Sequence, residues 1–152
     1  NQGQIVPGQG IQQPVLLFPI PEEPLVRGIA DFFRQDEYLT HIPVIGPDKQ
    51  GAQLEGSKAF SKEFMIKHNI PTAKYEVFSN SEDALKYLET APIPTVIKAD
   101  GLALGKGVII ATSLEEAKEA VKTIMEDKVF GESGANIVIE EFLTGPEVSV
   151  LA

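Results

Sequence analysis

The 152 residues include 43% hydrophobic and 23% charged side chains, the balance of a globular chain able to bury a core. A formal charge of −9 and a pI near 4.7 argue against a generic nucleic-acid binder, whose footprint is a basic patch, and no apolar run reaches membrane-spanning length. With no cysteine, disulfides, thiolate metal sites and cysteine nucleophiles are excluded. The first residues lack a basic start and an apolar middle, so no signal peptide is expected and a cytoplasmic location is.

Residues 1–14 alternate glutamine with glycine and offer little to bury, which predicts a disordered or unrelated segment. Val15–Ile20 (VLLFPI) predicts a short strand, with Pro19 suited to an edge or an end. Pro24 sits where a first helical turn accepts proline, and Leu25, Ile29, Phe32 and Phe33 then follow on one helical face. Arg34–Thr40 is polar and irregular, and Ile42–Ile45 predicts a second strand closed by Gly46-Pro47. Strand, helix, strand of this length predicts a βαβ unit with parallel strands, the end of an α/β domain over residues 15–47.

From residue 48 the pattern changes. Asp48 predicts the N-cap of a short helix ending near Gly56. Ser57 opens another, with Phe60 and Phe64 stacked at i, i+4, and Asn69 ahead of Pro71 predicts its end. Tyr75–Phe78 reads as a strand, and Ser79 with Glu82 as a capping box before a helix over Glu82–Glu89. Ser113 and Glu116 predict a second capping box, whose helix puts Ala117, Ala120, Val121, Ile124 and Met125 on one stripe. Phe130–Asn136 is a glycine-containing connection to a strand at Ile137–Ile139, which runs on into Glu140-Glu141-Phe142-Leu143. A Thr144-Gly145-Pro146 turn then predicts a last strand, Glu147–Leu151, and an end at Ala152 in mid-strand, as if cut. Residues 48–152 thus predict an α+β unit, a mixed sheet with helices on one face.

The chemistry concentrates in Val96–Ile110 (VIKADGLALGKGVII), two β-branched strands joined by a turn with Gly101, Gly105 and Gly107. Lys98 precedes the turn and Lys106 lies inside it. Glycine turns let successive N–H groups form a concavity for anions, phosphates above all. A Walker loop fails, because only Leu102, Ala103 and Leu104 separate Gly101 from Gly105, and Gly107 stands where its hydroxyl residue belongs. A dinucleotide fingerprint would open a helix, whereas Val108-Ile109-Ile110 continues as strand. What remains is a glycine-rich flap over phosphates from a sheet, or a mobile hairpin without a ligand. His41 and His68 make no metal site.

Leu54–Phe60 (LEGSKAF), Ile97–Val108 (IKADGLALGKGV) and Ile137–Ser149 (IVIEEFLTGPEVS) together resemble the phosphoribosylamine–glycine ligase family of the ATP-grasp superfamily. The resemblance runs from about Pro24 to Ala152 with the motifs in family order. It implies the C-terminal part of a Rossmann-like pre-ATP-grasp domain, followed by the first subdomain of an ATP-grasp fold, truncated. By the same resemblance Lys58 and Lys98 reach nucleotide phosphates, and Gly101, Gly105, Lys106 and Gly107 form the flap over the triphosphate. Glu140, Glu141, Phe142 and Leu143 match the hinge whose backbone pairs with adenine, and Glu147 the acid that accepts from the ribose hydroxyls. Glu140 and Glu141, being adjacent in a strand, point to opposite faces, one to a ligand and one to water.

The implied cofactors are ATP and Mg²⁺, with metal ligands beyond the end of this chain. The implied activity joins glycine to phosphoribosylamine through a glycyl phosphate, in purine biosynthesis. The full enzyme is expected to be a monomer acting on small molecules, with no nucleic-acid or membrane partner; this chain alone is expected to be inactive and to self-associate through an open edge. Related alternatives are another ATP-grasp carboxylate–amine ligase and a non-catalytic nucleotide-binding fragment. The sequence departs from the family pattern in several places, among them residues 1–14, which have no counterpart, and a small insertion at Gln35–Thr40. The glycine-rich N-terminal motif is missing, Ile20-Pro21-Glu22-Glu23-Pro24-Leu25 stands for a Gly-Pro-Glu element, and Leu104 replaces a flap alanine.

Overall fold

The computed structural model describes residues 45–103 and 107–150, together with 28, 31, 33, 34, 37, 38, 41 and 43. The strand expected at Val15–Ile20 and most of the helix after Pro24 lie outside the described residues, as do Leu104, Gly105, Lys106 and the last two positions. Asp31, Phe33 and Arg34 are helical, which extends the expected helix by a residue. Pro43 and Ile45 form no strand, contrary to expectation. Pro43 has no N–H to donate to a ladder, and Ile45 is 99% exposed.

Local caps start the helices where the short polar side chains stand. Asp48 accepts the Gly51 N–H at 2.7 Å and opens α1 (Lys49–Gly56). Ser57 accepts from the Phe60 N–H at 3.1 Å and opens α2 (Lys58–Lys67), which ends as Asn69 turns to a φ of 55°. After β1 (Tyr75–Phe78) the cap of α3 (Ser81–Leu88) is Asn80, one residue later than the expected Ser79. Its Oδ1 accepts from the Asp83 N–H at 2.8 Å and its amide donates to Asp83 Oδ2 at 2.7 Å, a reciprocal pair. The start at Ser81 sets Ala84 and Leu88, four residues apart, against the sheet.

Ser113 caps α4 (Leu114–Val121), accepting from the Glu116 N–H at 3.1 Å. The Glu116 carboxylate reaches one residue past the cap, to the N–H and hydroxyl of Thr112, both at 2.7 Å. A π-helical turn, Lys122–Glu126, continues α4 and keeps Ile124 fully buried. A 3₁₀ turn, Gly131–Gly134, occupies the expected glycine connection.

β2 (Thr95–Ala99), β3 (Val108–Ala111) and β4 (Ile137–Glu141) join β1 in the order β1-β4-β2-β3. Every pairing is antiparallel, where a mixed sheet was expected. In register, Ile97 lies between Ile109 and Ile139, and Ala99 opposite Ile137. This face packs on Ala84 and Leu88 of α3 and on Ala117, Ala120 and Val121 of α4, forming the core. Full burial of each of the large side chains is worth roughly 1.5–3 kcal/mol. Alanines at the contact let α3 and α4 approach closely. Helices on one face alone were expected, but α2 packs on the other, over β4, where Lys62 reaches Glu140 and Val138 is fully buried. Period two sends Val96, Lys98, Val138 and Glu140 to this second face.

The last expected strand is absent: residues 147–150 pair with no strand among the described residues, and Val148 and Val150 are 78% and 84% exposed. Alternation of apolar and polar residues supplies a face, but a strand also needs an edge to bond to.

Candidate functional site

Lys98 stands on the face opposite α3 and α4, one pair away diagonally from Glu140 on β4, the spacing at which long side chains meet. Its Nζ donates to Glu140 Oε2 at 3.0 Å. A second ammonium, Lys62 of α2, reaches the same oxygen at 3.0 Å. Lys62 also donates to Thr72 Oγ1 at 2.7 Å and to the Ala73 carbonyl at 3.4 Å, and sits 5.6 Å from the centre of the Tyr75 ring. Two cations on one carboxylate leave the cluster with a surplus positive charge. Glu140 is only 6% exposed, and its other oxygen, Oε1, is buried without a donor among the described residues.

Lys58, one helical turn before Lys62, turns to the start of the glycine turn. Its Nζ donates to the Gly101 carbonyl at 3.0 Å and lies 3.5 Å from that of Asp100. Burial pushes the Lys58 pKa below its ordinary value; the Asp100 carboxylate opposes that, and the Lys98 charge adds to it. Asp100 in turn accepts from the Ala59 N–H at 2.7 Å and from the Ser57 hydroxyl at 3.0 Å, so the end of β2 caps α2. The Lys58 N–H donates to the Asp100 carbonyl at 3.1 Å.

The two described glycines of the turn are sites of close approach. A Cβ at Gly101 would lie 2.8 Å from Ser133 Oγ and 2.9 Å from Ser133 Cα, and one at Gly107 would lie 2.6 Å from Ala103 Cβ. The Gly101 N–H donates to the Ser133 carbonyl at 3.1 Å, and the Ser133 hydroxyl to the Leu102 carbonyl at 2.7 Å. The 3₁₀ turn therefore holds the first limb of the glycine turn. Gly105 and Lys106 lie outside the described residues.

Of the residues singled out in the sequence, Lys58, Lys98, Gly101, Gly107 and Glu140 gather where β2, β4 and α2 meet. Glu141 points to the opposite face, as expected, but not simply into water. Its carboxylate accepts from the Lys74 N–H at 2.9 Å, and its own N–H donates to the Lys74 carbonyl at 2.9 Å. Phe142 and Leu143, 38% and 65% exposed, follow the end of β4, and Glu147 is exposed outside any strand. Lys62 and Asp100 were not anticipated. Lys62 repeats Lys58 at i+4, a spacing that places both on one helical face and could have revealed it. His68 packs on the Phe64 ring, centroids 4.4 Å apart.

The profile of the family described as phosphoribosylglycinamide synthetase, ATP-grasp (A) domain, matches residues 56–152, a span that holds the whole lysine cluster. The chain belongs to that family. It is 55% identical over 132 residues to a phosphoribosylamine–glycine ligase of Leptospira interrogans, covering 87% of this chain and 30% of that protein. The crystal structure of a phosphoribosylamine–glycine ligase from Thermotoga maritima matches with a TM-score of 0.63 at 45% identity, over 72% of this chain and 28% of the other. A biotin carboxylase domain from Hydrogenobacter thermophilus, solved with MgADP, ADP and bicarbonate, matches with a TM-score of 0.59 at 25% identity, over 74% of this chain and 25% of that one. The chain thus spans 30% of the length of the curated relative to which it is 55% identical. The helix-and-sheet arrangement agrees with an ATP-grasp fold. Among the described residues no helix is long and apolar enough to cross a membrane.

Proposed function

We propose that this chain forms the nucleotide-binding part of a phosphoribosylamine–glycine ligase. The observation that carries the proposal is the surplus ammonium charge of the Lys62–Glu140–Lys98 cluster at the root of a close-packed glycine turn. Lys98 and Lys58 would meet the phosphate oxygens of ATP, with N–H groups of the Gly101–Gly107 turn, Gly105 and Lys106 included, closing over them. The orphaned Glu140 Oε1 fits a ligand N–H, and the purine amino group is the donor a nucleotide brings to this end of β4. Backbone groups of Glu141, Phe142 and Leu143 would pair with the base, and Glu147 with the ribose hydroxyls.

ATP supplies the phosphoryl group that turns the glycine carboxylate into an acyl phosphate, releasing ADP; the phosphoribosylamine amine then attacks the acyl carbon and expels phosphate, giving glycinamide ribonucleotide. The residues of this chain hold the triphosphate in place and neutralise its charge. Mg²⁺ would accompany the nucleotide; among the described residues no group of three or more His, Asp or Glu side chains could hold it.

The test uses the full-length protein with glycine, phosphoribosylamine and Mg-ATP. Glycinamide ribonucleotide should form, and saturation with ATP at ~100 Kd should stabilise the fold by about 2.7 kcal/mol, most of it lost in Lys98→Ala. A full-length protein that binds ATP and joins a different amine or acid would overturn the substrate assignment.

A further inference from the structure

Lys62 and Lys98 share one carboxylate oxygen, yet their remaining bonds differ. An ammonium has three N–H donors. Those of Lys62 are matched by Glu140 Oε2, Thr72 Oγ1 and the Ala73 carbonyl, and its side chain is only 10% exposed. Lys62 is saturated and enclosed. Lys98 is 26% exposed, and among the described residues its hydrogen bond is the one to Glu140. Two of its donors remain for other oxygens.

We infer that Lys62 is a positioning residue that neutralises Glu140 from within and so leaves Lys98 a cation available to an anionic ligand. This rests on the nucleotide reading above and extends it to a residue outside the phosphate contacts. The charge count makes the argument. Lys62, Lys98 and Glu140 together carry one net positive charge, and Lys98 is the member able to direct it at phosphate. Without Lys62, the Glu140 charge falls on Lys98 alone. The pair is then neutral, and a phosphate must compete with a carboxylate that has no other partner. Thr72 and Ala73, which lead into β1, hold Lys62 in place, so the strand β1 side of the sheet takes part in setting the charge of the site.

The count predicts a suppression. In the full-length protein, Lys62→Met should weaken ATP binding about tenfold or more, as loss of one partner from a buried charge cluster does. Adding Glu140→Gln to Lys62→Met returns the net charge to that of the wild type, and glutamine keeps a carbonyl acceptor. The double variant should therefore bind ATP more tightly than Lys62→Met, read by calorimetric titration, while staying weaker than the wild type, because one carbonyl oxygen cannot fill the acceptor positions of both Glu140 oxygens. Lys62→Arg, which keeps the charge, should bind nearly as the wild type does. Should Lys62→Met not fold, Lys62→Gln makes the same charge change with a polar head and carries the same expectation. A merely structural role predicts the opposite order, with the double variant no tighter than the single. That order, or wild-type affinity in Lys62→Met, overturns the inference. A wild-type protein without saturable ATP binding would instead overturn the nucleotide reading on which it rests.

Discussion

Asp100, the residue after β2, accepts the backbone N–H of Ala59 in the first turn of α2 at 2.7 Å, across 41 residues of chain. A helix N-terminus leaves its first N–H groups without intrahelical partners, and here a carboxylate from the sheet satisfies one while Ser57 satisfies the next. The same contact carries Lys58 to the Gly101 carbonyl. Asp100→Ala should cost about 1–2 kcal/mol, the usual worth of such a cap, whereas Asp100→Asn, which keeps an acceptor, should cost less. Urea unfolding midpoints compare the two; equal and unchanged midpoints would show that the cap contributes nothing.

Gly101 faces Ser133 with no room for a methyl group. The nearest atoms include the Ser133 Cα at 2.9 Å, which cannot swing aside as a long side chain can. Gly101→Ala should destabilise by about 1–3 kcal/mol, the cost of overpacking. Combining it with Ser133→Gly removes the Oγ and Cβ clashes but not the Cα one, so recovery should be partial. Full recovery in the double variant would place the strain in the side chain alone.

With Lys58 at the phosphates, as proposed, both stability and ligand affinity should depend on alkaline pH, in opposite directions. Burial lowers its pKa below the ordinary 10.5, so between the lowered value and 10.5 the folded protein binds fewer protons than the unfolded chain. Its contribution to stability therefore rises with pH through that window, and the cost of the buried charge is fully present below it. ATP affinity should fall as Lys58 loses its proton, beginning below pH 10.5. Lys58→Arg stays charged and should shift that decline to higher pH. Titrations at several alkaline pH values that superimpose for wild type and Lys58→Arg would remove Lys58 from the binding site.

Ile97 is fully buried at the centre of the sheet, beside Ile109 and Ile139. Ile97→Ala should cost about 2–5 kcal/mol, the lost transfer energy plus the cavity left behind. Because the side chain faces α3 and α4 and Lys98 faces the other way, ATP affinity at a temperature where the variant is folded should change little. Thermal unfolding followed by titration separates the two effects.

Much of the local architecture could be read from the chain because it depends on groups a few residues apart. Asp48, Ser57 and Ser113 cap the helices they precede, each through an N–H three residues on. Asn69 adopts the left-handed turn that its short amide tolerates. The shift from Ser79 to Asn80 shows the limit of that method: both neighbours offer an acceptor, and the packing of Ala84 and Leu88 decides between them. Lys98 stood out as a lysine in an apolar strand. Lys62 did not: its i+4 spacing from Lys58 places it on the same helical face, but that spacing alone does not separate it from a solvated lysine until its buried partner is known.

Side-chain type and spacing were enough to place the helices and the β2–β3 hairpin, since each arises from short-range hydrogen bonds and periodicity. The insertion of β4 between β1 and β2 needed the folded chain, as did the meeting of Lys62, Lys98 and Glu140 and the capping of α2 by Asp100. Strand order and buried charge pairing depend on which distant surfaces exclude water together. The same physics explains residues 147–150: an alternating pattern is present, but they find no partner edge among the described residues, and without one the pattern forms no strand.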